Sequence, residues 1–163
     1  MSESRILADQ VARVHTGDPW YGDPITKVLD GISARSAAAY PIRGAHSIWE
    51  LVLHLTTWVK EVNRRLESGV WREPEDGDWP SVPEPTEANW RQSLERLDAA
   101  HTALEQTVKR LSARQLAGQI GVERDRALGT GVTLRETIHG ILQHDAYHLG
   151  QIALLKKASS PRA

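Results

Sequence analysis

The chain of 163 residues has no cysteine and no phenylalanine, and only one methionine. Without cysteine there can be no disulfide, no thiolate metal site and no cysteine nucleophile. No segment approaches the roughly 20 apolar residues of a membrane span, and the opening "MSESRILADQ" lacks the apolar centre of a signal peptide. Charge of one sign is missing too: twenty Lys and Arg stand against twenty-one Asp and Glu, a formal net charge of −1. That balance gives no basic stripe to attract nucleic acid or an anionic membrane. No hairpin dipeptide separates alternating apolar runs, so no strand is expected. No serine stands in a nucleophile motif, and no glycine-rich phosphate loop occurs. Together these absences predict a soluble, cytoplasmic protein that binds neither nucleic acid nor membrane. The length suits one domain spanning residues 1–163. What the sequence does have is six tryptophans and seven histidines.

Apolar residues recur at helical spacing through most of the chain. A first helix is expected over residues 3–15, with Ile6, Leu7, Val11 and Val14 on its buried side, and a short one from Pro24 carries Ile25, Val28, Leu29 and Ile32. "HSIWELVLHLTTWVKEVNRRLESG" predicts a long helix over 46–68, capped by Ser47 and stopped by Gly69. A third long helix, 86–111, has Trp90, Leu94, Leu97, His101, Leu104, Val108 and Leu111 at alternating steps of four and three, the spacing of a heptad seam. The last, 133–157, begins with the capping box "TLRE", Thr133 to Glu136. These long amphipathic helices, joined by turns, predict an all-α chain, a four-helix bundle with up-down helices, an extra short helix and a long loop between the second and third long helices. The irregular stretch 69–85 carries Trp71 and Trp79, which read as either the lid of a pocket or a dimer contact. "GISARSAA" (31–38) and "RLSARQLA" (110–117) echo one another ahead of two histidine-bearing helices. "GTG" (129–131) reads as a turn before the capping box.

His144 and His148 lie one turn apart on one helix face, where two imidazoles can converge on a single ion. Chance alone supplies about 0.3 such pairs in a chain of this composition, so the pair by itself also fits one satisfied core histidine and one at the rim. His54 borders the apolar stripe of the second long helix, between Leu51 and Trp58. Two ligands from one helix and one from its neighbour is how bundle cores build metal sites, and three imidazoles leave positions open for water or substrate. Of the others, His101 holds a seam position and reads as a satisfied core residue. His46 lies at the pocket mouth or bonds backbone at the helix start. His139 faces an edge, and His15 is a solvated helix end.

At "GAHSIWELVLHLTTW" (44–58) and "HDAYHLGQI" (144–152) the chain resembles the DinB/YfiT-like superfamily of helical metalloenzymes. His54 matches the family's helix-borne histidine, and His144 and His148 match its H-x-x-x-H. The resemblance implies a divalent ion, nickel or zinc, held by His54, His144 and His148 with waters completing its shell. It also implies a homodimer. Hydrolysis is one chemistry open to such a site. Transfer to or from a low-molecular-weight thiol is the other, and the thiol would arrive as a cosubstrate beside an unidentified small molecule. Glu50 and Asp145 each orient an imidazole, act as base for the metal-bound water, or serve the helix surface (Glu50) and a neighbouring helix (Asp145); Gln151 hydrogen-bonds a ligand or faces a helix partner. Two other classes remain open: a metal-binding or stress-response module without turnover, and a structural or interaction bundle without metal.

Overall fold

The computed structural model describes residues 1–125 and 130–159. Its long helices are α1 (Glu3–His15), α4 (Ile48–Ser68), α5 (Glu87–Arg110) and α7 (Leu134–Ser159). Short helices α2 (Ile25–Leu29), α3 (Ala34–Ala37) and α6 (Ala113–Leu116) lie between them, with strands β1 (Gln119–Asp125) and β2 (Thr130–Thr133) ahead of α7. The four long helices therefore fall where periodicity places them, because their ends are set locally. Ser47 accepts from the Glu50 N–H while Glu50 accepts from that of Ser47. Thr133 and Glu136 do the same for α7, and Thr86 caps α5. Gly69 closes α4 at φ 67°, a left-handed conformation that a side chain disfavours.

The echo in the sequence is structural. Ser33 and Ser112 cap α3 and α6 with φ −78° and ψ 160° and 161°, so the same four-residue turn precedes α4 and α7.

Helix α4 packs on α5 and α7, and α1 packs on the same two. Buried apolar side chains form two clusters. One gathers Val14, Trp49, Leu55, Trp90, Leu97, Leu149 and Ile152 with α2 and α3. The other gathers Val11, Val59, Leu66, Leu104, Val108, Ile120 and Ile138. Every long helix passes from one cluster to the other, and where it crosses it carries polar groups: His15, His54, His101, and His144, Asp145 and His148. A buried polar layer thus lies between two dry halves. Ile6 departs from expectation: it is 46% exposed, and Ser4 and Ala8 share the buried face of α1 with Leu7 and Val11.

The chain is mostly helical, but the expectation of no strand is corrected by the antiparallel pair β1–β2. Gln119 faces Thr133 and Ile120 faces Val132, followed by a register irregularity before Asp125 pairs with Thr130. Gly121 and Gly131 both have positive φ, 72° and 65°, as irregular ladders often require. Ile120, fully buried in the second cluster, anchors the pair. Of the "GTG" expected as a turn, Gly129 lies outside the described residues, and Thr130 and Gly131 belong to β2. No helix among the described residues is long and apolar enough to cross a membrane.

Candidate metal centre

Helix α4 brings His54, and α7 brings His144 and His148, into one cluster whose ligand nitrogens lie within 4.8 Å of one another. The Nε2 atoms of His54 and His144 are 2.9 Å apart. Two of the imidazoles have their other nitrogen engaged. The Nδ1–H of His54 donates to the Asp78 carbonyl at 2.8 Å, and that of His148 donates to Gln151 Oε1 at 2.7 Å. Both residues therefore turn a bare Nε2 lone pair toward the cluster, the tautomer a metal ligand needs. With the His54 Nε2 bare, the 2.9 Å approach holds either an N–H donated by His144 Nε2 or a cation shared by the two nitrogens. Two nitrogens each about 2.1 Å from one ion lie about 3.0–3.4 Å apart. The donor set fits a divalent ion.

Residues 69–85, which join α4 to α5, close over this cluster. The Trp79 ring is stacked between two imidazoles, 3.9 Å from His54 and 3.7 Å from His46, tilted by 10° and 9°. Asp78, beside it, holds His54 through its carbonyl, and its carboxylate accepts from Trp58 Nε1–H at 2.6 Å. Periodicity could not have found Asp78 or Trp79, since neither lies on a helix; the tryptophans in a long loop were the available signal. Trp71 does not join the site. It is half-buried against the second apolar cluster, with the Arg65 guanidinium 5.7 Å from its ring. Trp79 covers a face of the His54 ring and lies 6.3 Å from the His148 ring of α7, so metal should slow cleavage within 69–85 in limited proteolysis. Equal cutting with and without zinc would rule out a covering role.

Beside the cluster runs a groove of about 410 Å³. Trp58, Val62, Val132 and Ile141 give it an apolar lining, and His54, His144 and Asp78 stand at one end with Arg65 and Glu136 also bordering it.

The polar layer continues behind the histidines. Asp145 is 1% exposed and its Oδ2 lies 3.3 Å from His101 Nε2. His101 also donates from Nδ1 to the Leu97 carbonyl at 3.0 Å, and the His15 ring stacks on it at 4.9 Å. The core reading of His101 is borne out. His15 is not solvated as expected but 6% exposed. The turn after α1 folds the helix end inward, and His15 Nε2 meets Asp98 Oδ1 at 3.0 Å. Glu50 is occupied by its capping role and stands 3.6 Å from His46. His46 is exposed at the mouth beside Trp79, and His139 is exposed on α7.

Burial depresses the basicity of His54 and His148, against the pull of the Asp78 carbonyl on one and Gln151 on the other. Burial and the neighbouring His101 do the same to His15, against Asp98. His101 moves the other way: burial opposes its charge, but the Asp145 carboxylate outweighs burial and raises it. Burial likewise works against the Asp145 carboxylate, yet His101 and His144 hold it below the usual range.

These directions predict how the metal-free chain responds to pH. A histidine depressed in the fold binds fewer protons there than when unfolded, so its contribution is lost as pH falls through the unfolded value near 6.5. His101 contributes oppositely, stabilising below its unfolded value and losing that effect as pH rises through its folded one. Three groups against one predict a lower urea midpoint at pH 5.5 than at pH 7.5. An equal or higher midpoint at the acid pH would contradict the burial assigned to the three.

A family model described as the DinB superfamily matches residues 23–152, a span that includes all three clustered histidines. Neither the curated proteins nor the solved structures compared with the chain yield a match.

Proposed function

Because the chain belongs to the DinB superfamily, we propose that it is a metal-dependent enzyme whose divalent ion, nickel or zinc, is held by His54, His144 and His148. The observation that carries this reading is the approach of two imidazole Nε2 atoms to 2.9 Å with the His54 lone pair directed between them. We place the four long helices in the superfamily's four-helix bundle, as one domain. The order of apolar residues along them supports an up-down-down-up sense: α4 and α5 both run from the first cluster to the second, while α1 and α7 run back. Residues 69–85 are then the crossover that two parallel neighbours require, which explains both the length of that stretch and its place over the site.

An ion at such a site activates a coordinated water or thiol and polarises a carbonyl. The chain's own groups supply the rest. The Asp78 carboxylate lies 3.3 Å from the outer Nδ1 of His54 and is held by Trp58, so with the Asp78 carbonyl it fixes the orientation of that ring. Trp58, Val62 and Ile141 exclude water along the groove and receive the apolar part of a small substrate. Hydrolysis and thiol transfer both use this arrangement; they differ in whether water or a low-molecular-weight thiol enters the open position. A homodimer through the exposed side of α7 is in keeping with its Tyr147 and Leu154, 65% and 62% exposed, and with Gly140 and Gly150, where an added Cβ would meet nothing.

The test is elemental analysis of the untagged protein, followed by assays with ester and thiol substrates on the metal-loaded form and on Asp78→Asn. About one ion per chain is expected, with zinc affinity and turnover falling together in Asp78→Asn, as for a group that acts through the His54 ring. Absence of metal from the purified protein, with no uptake of added zinc or nickel, would refute the reading.

A further inference from the structure

Each metal ligand in a well-built site has a partner on its outer nitrogen, since that partner selects the tautomer and holds the ring. His54 has the Asp78 carbonyl and His148 has Gln151. His144 alone has none: its Nδ1 is buried and without a hydrogen-bond partner among the described residues. The Oδ1 of Asp145 is also buried and unpartnered. These two atoms face one another 4.0 Å apart. Side chains of adjacent helical residues ordinarily diverge, so the proximity comes from the other side, where His101 reaches from α5 to the second carboxylate oxygen. His101 is itself held at two points. Its Nδ1–H donates to the Leu97 carbonyl, and its ring lies within 19° of parallel to that of His15, which is bound to Asp98.

We propose that Asp145 and His101, on two different helices, are positioning residues of the metal centre. Asp145 accepts the Nδ1–H of His144 and so presents the His144 Nε2 to the ion, and His101 holds Asp145 in place to do it. This rests on the metal-site reading above, and deepens it: the buried polar layer is one connected array running from α1 through α5 to the ligands, rather than separate core residues. A carboxylate is required because it must accept on both sides, from His101 and from His144. Glutamine at position 101 retains a donor where His101 Nε2 stands, whereas leucine fills the space without one.

The experiment uses the full-length protein with Zn²⁺ as the probe, comparing wild type with Asp145→Asn, His101→Leu and His101→Gln. Zinc affinity, from competition with a chelator, is expected to fall roughly tenfold to a hundredfold in Asp145→Asn and His101→Leu. His101→Gln should recover most of it, which a mere filling of space would not explain. Nitrogen-15 spectra of the imidazoles in the wild-type protein, with and without zinc, supply a reading that needs neither activity nor a stable variant. The expected result is a protonated, exchange-protected Nδ1 on His144. A bare His144 Nδ1 in wild type would overturn the proposal. So would unchanged zinc affinity in folded Asp145→Asn and His101→Leu. Should wild type bind no zinc at all, the metal reading falls, and the nitrogen-15 spectra alone decide whether Asp145 holds His144.

Discussion

Replacing His144 by alanine is expected to strip the protein of its ion. Apparent free energies of zinc binding to four-ligand protein sites are about 10–16 kcal/mol, which puts each ligand at on the order of 3 kcal/mol and its loss at about a hundredfold or more in affinity. The variant also removes the Nε2 that stands 2.9 Å from its counterpart on His54, so the remaining His54 and His148 form a two-ligand remnant. Zinc at a hundred times its dissociation constant should stabilise wild type by about 2.7 kcal/mol, read as a rise of several degrees in Tm. The variant should show no such rise, and its metal content by elemental analysis should be close to zero. His139→Ala is the control, because His139 lies on the same helix but is exposed and outside the cluster. Retention of metal by His144→Ala, or equal loss in both variants, would exclude His144 as a ligand.

The second large effect is on stability. Trp49 is wholly buried in the first apolar cluster, its ring centroid 5.1 Å from that of Trp90. Its Nε1–H donates to Ser93 Oγ at 3.0 Å. In a chain without phenylalanine these two indoles are the aromatic bulk of that cluster, and each has its N–H satisfied, Trp90 by the Ile32 carbonyl at 2.7 Å. Trp49→Ala is expected to cost about 3–5 kcal/mol through lost burial and the cavity left behind. Against a typical domain stability of about 5–15 kcal/mol, that brings the protein near its unfolding limit. Urea unfolding at 25 °C should show the loss as a lowered midpoint with an unchanged slope. Trp49→Phe keeps most of the ring and should cost less. Trp20→Ala, at a fully exposed position, should stay within about 0.5 kcal/mol. Similar midpoints for Trp49→Ala and Trp20→Ala would mean that this cluster does not hold the fold together.

The helices were legible because their signals are local. Ser47 with Glu50, and Thr133 with Glu136, are capping pairs three residues apart, and they set the starts of α4 and α7 whatever the rest of the chain does. The convergence of His144 and His148 is equally local, being one helical turn, and His54 stood out beside the apolar stripe of a neighbouring helix, where the resemblance also placed a ligand. The hairpin was not legible, because β1 is a polar-rich segment whose pairing depends on burying Ile120 against helices from elsewhere in the chain. His15 read as solvated for the same kind of reason: what buries it is Asp98 and His101, more than eighty residues away.

By itself, then, the amino-acid sequence determined where the long helices begin and end, which of their faces are apolar, and that two imidazoles share one face of α7. Hydrogen bonds and side-chain spacings within a few residues suffice for that. Only the tertiary structure decided what surrounds those imidazoles. It laid Trp79 and Asp78 over His54 from a loop without periodicity, set Asp145 between His101 and His144, and opened an apolar groove between α4 and α7. Apart from that between the adjacent His144 and Asp145, those contacts join residues twenty or more positions apart, and they exist only because two apolar clusters pull four helices together and leave the polar groups between them to find partners in one another.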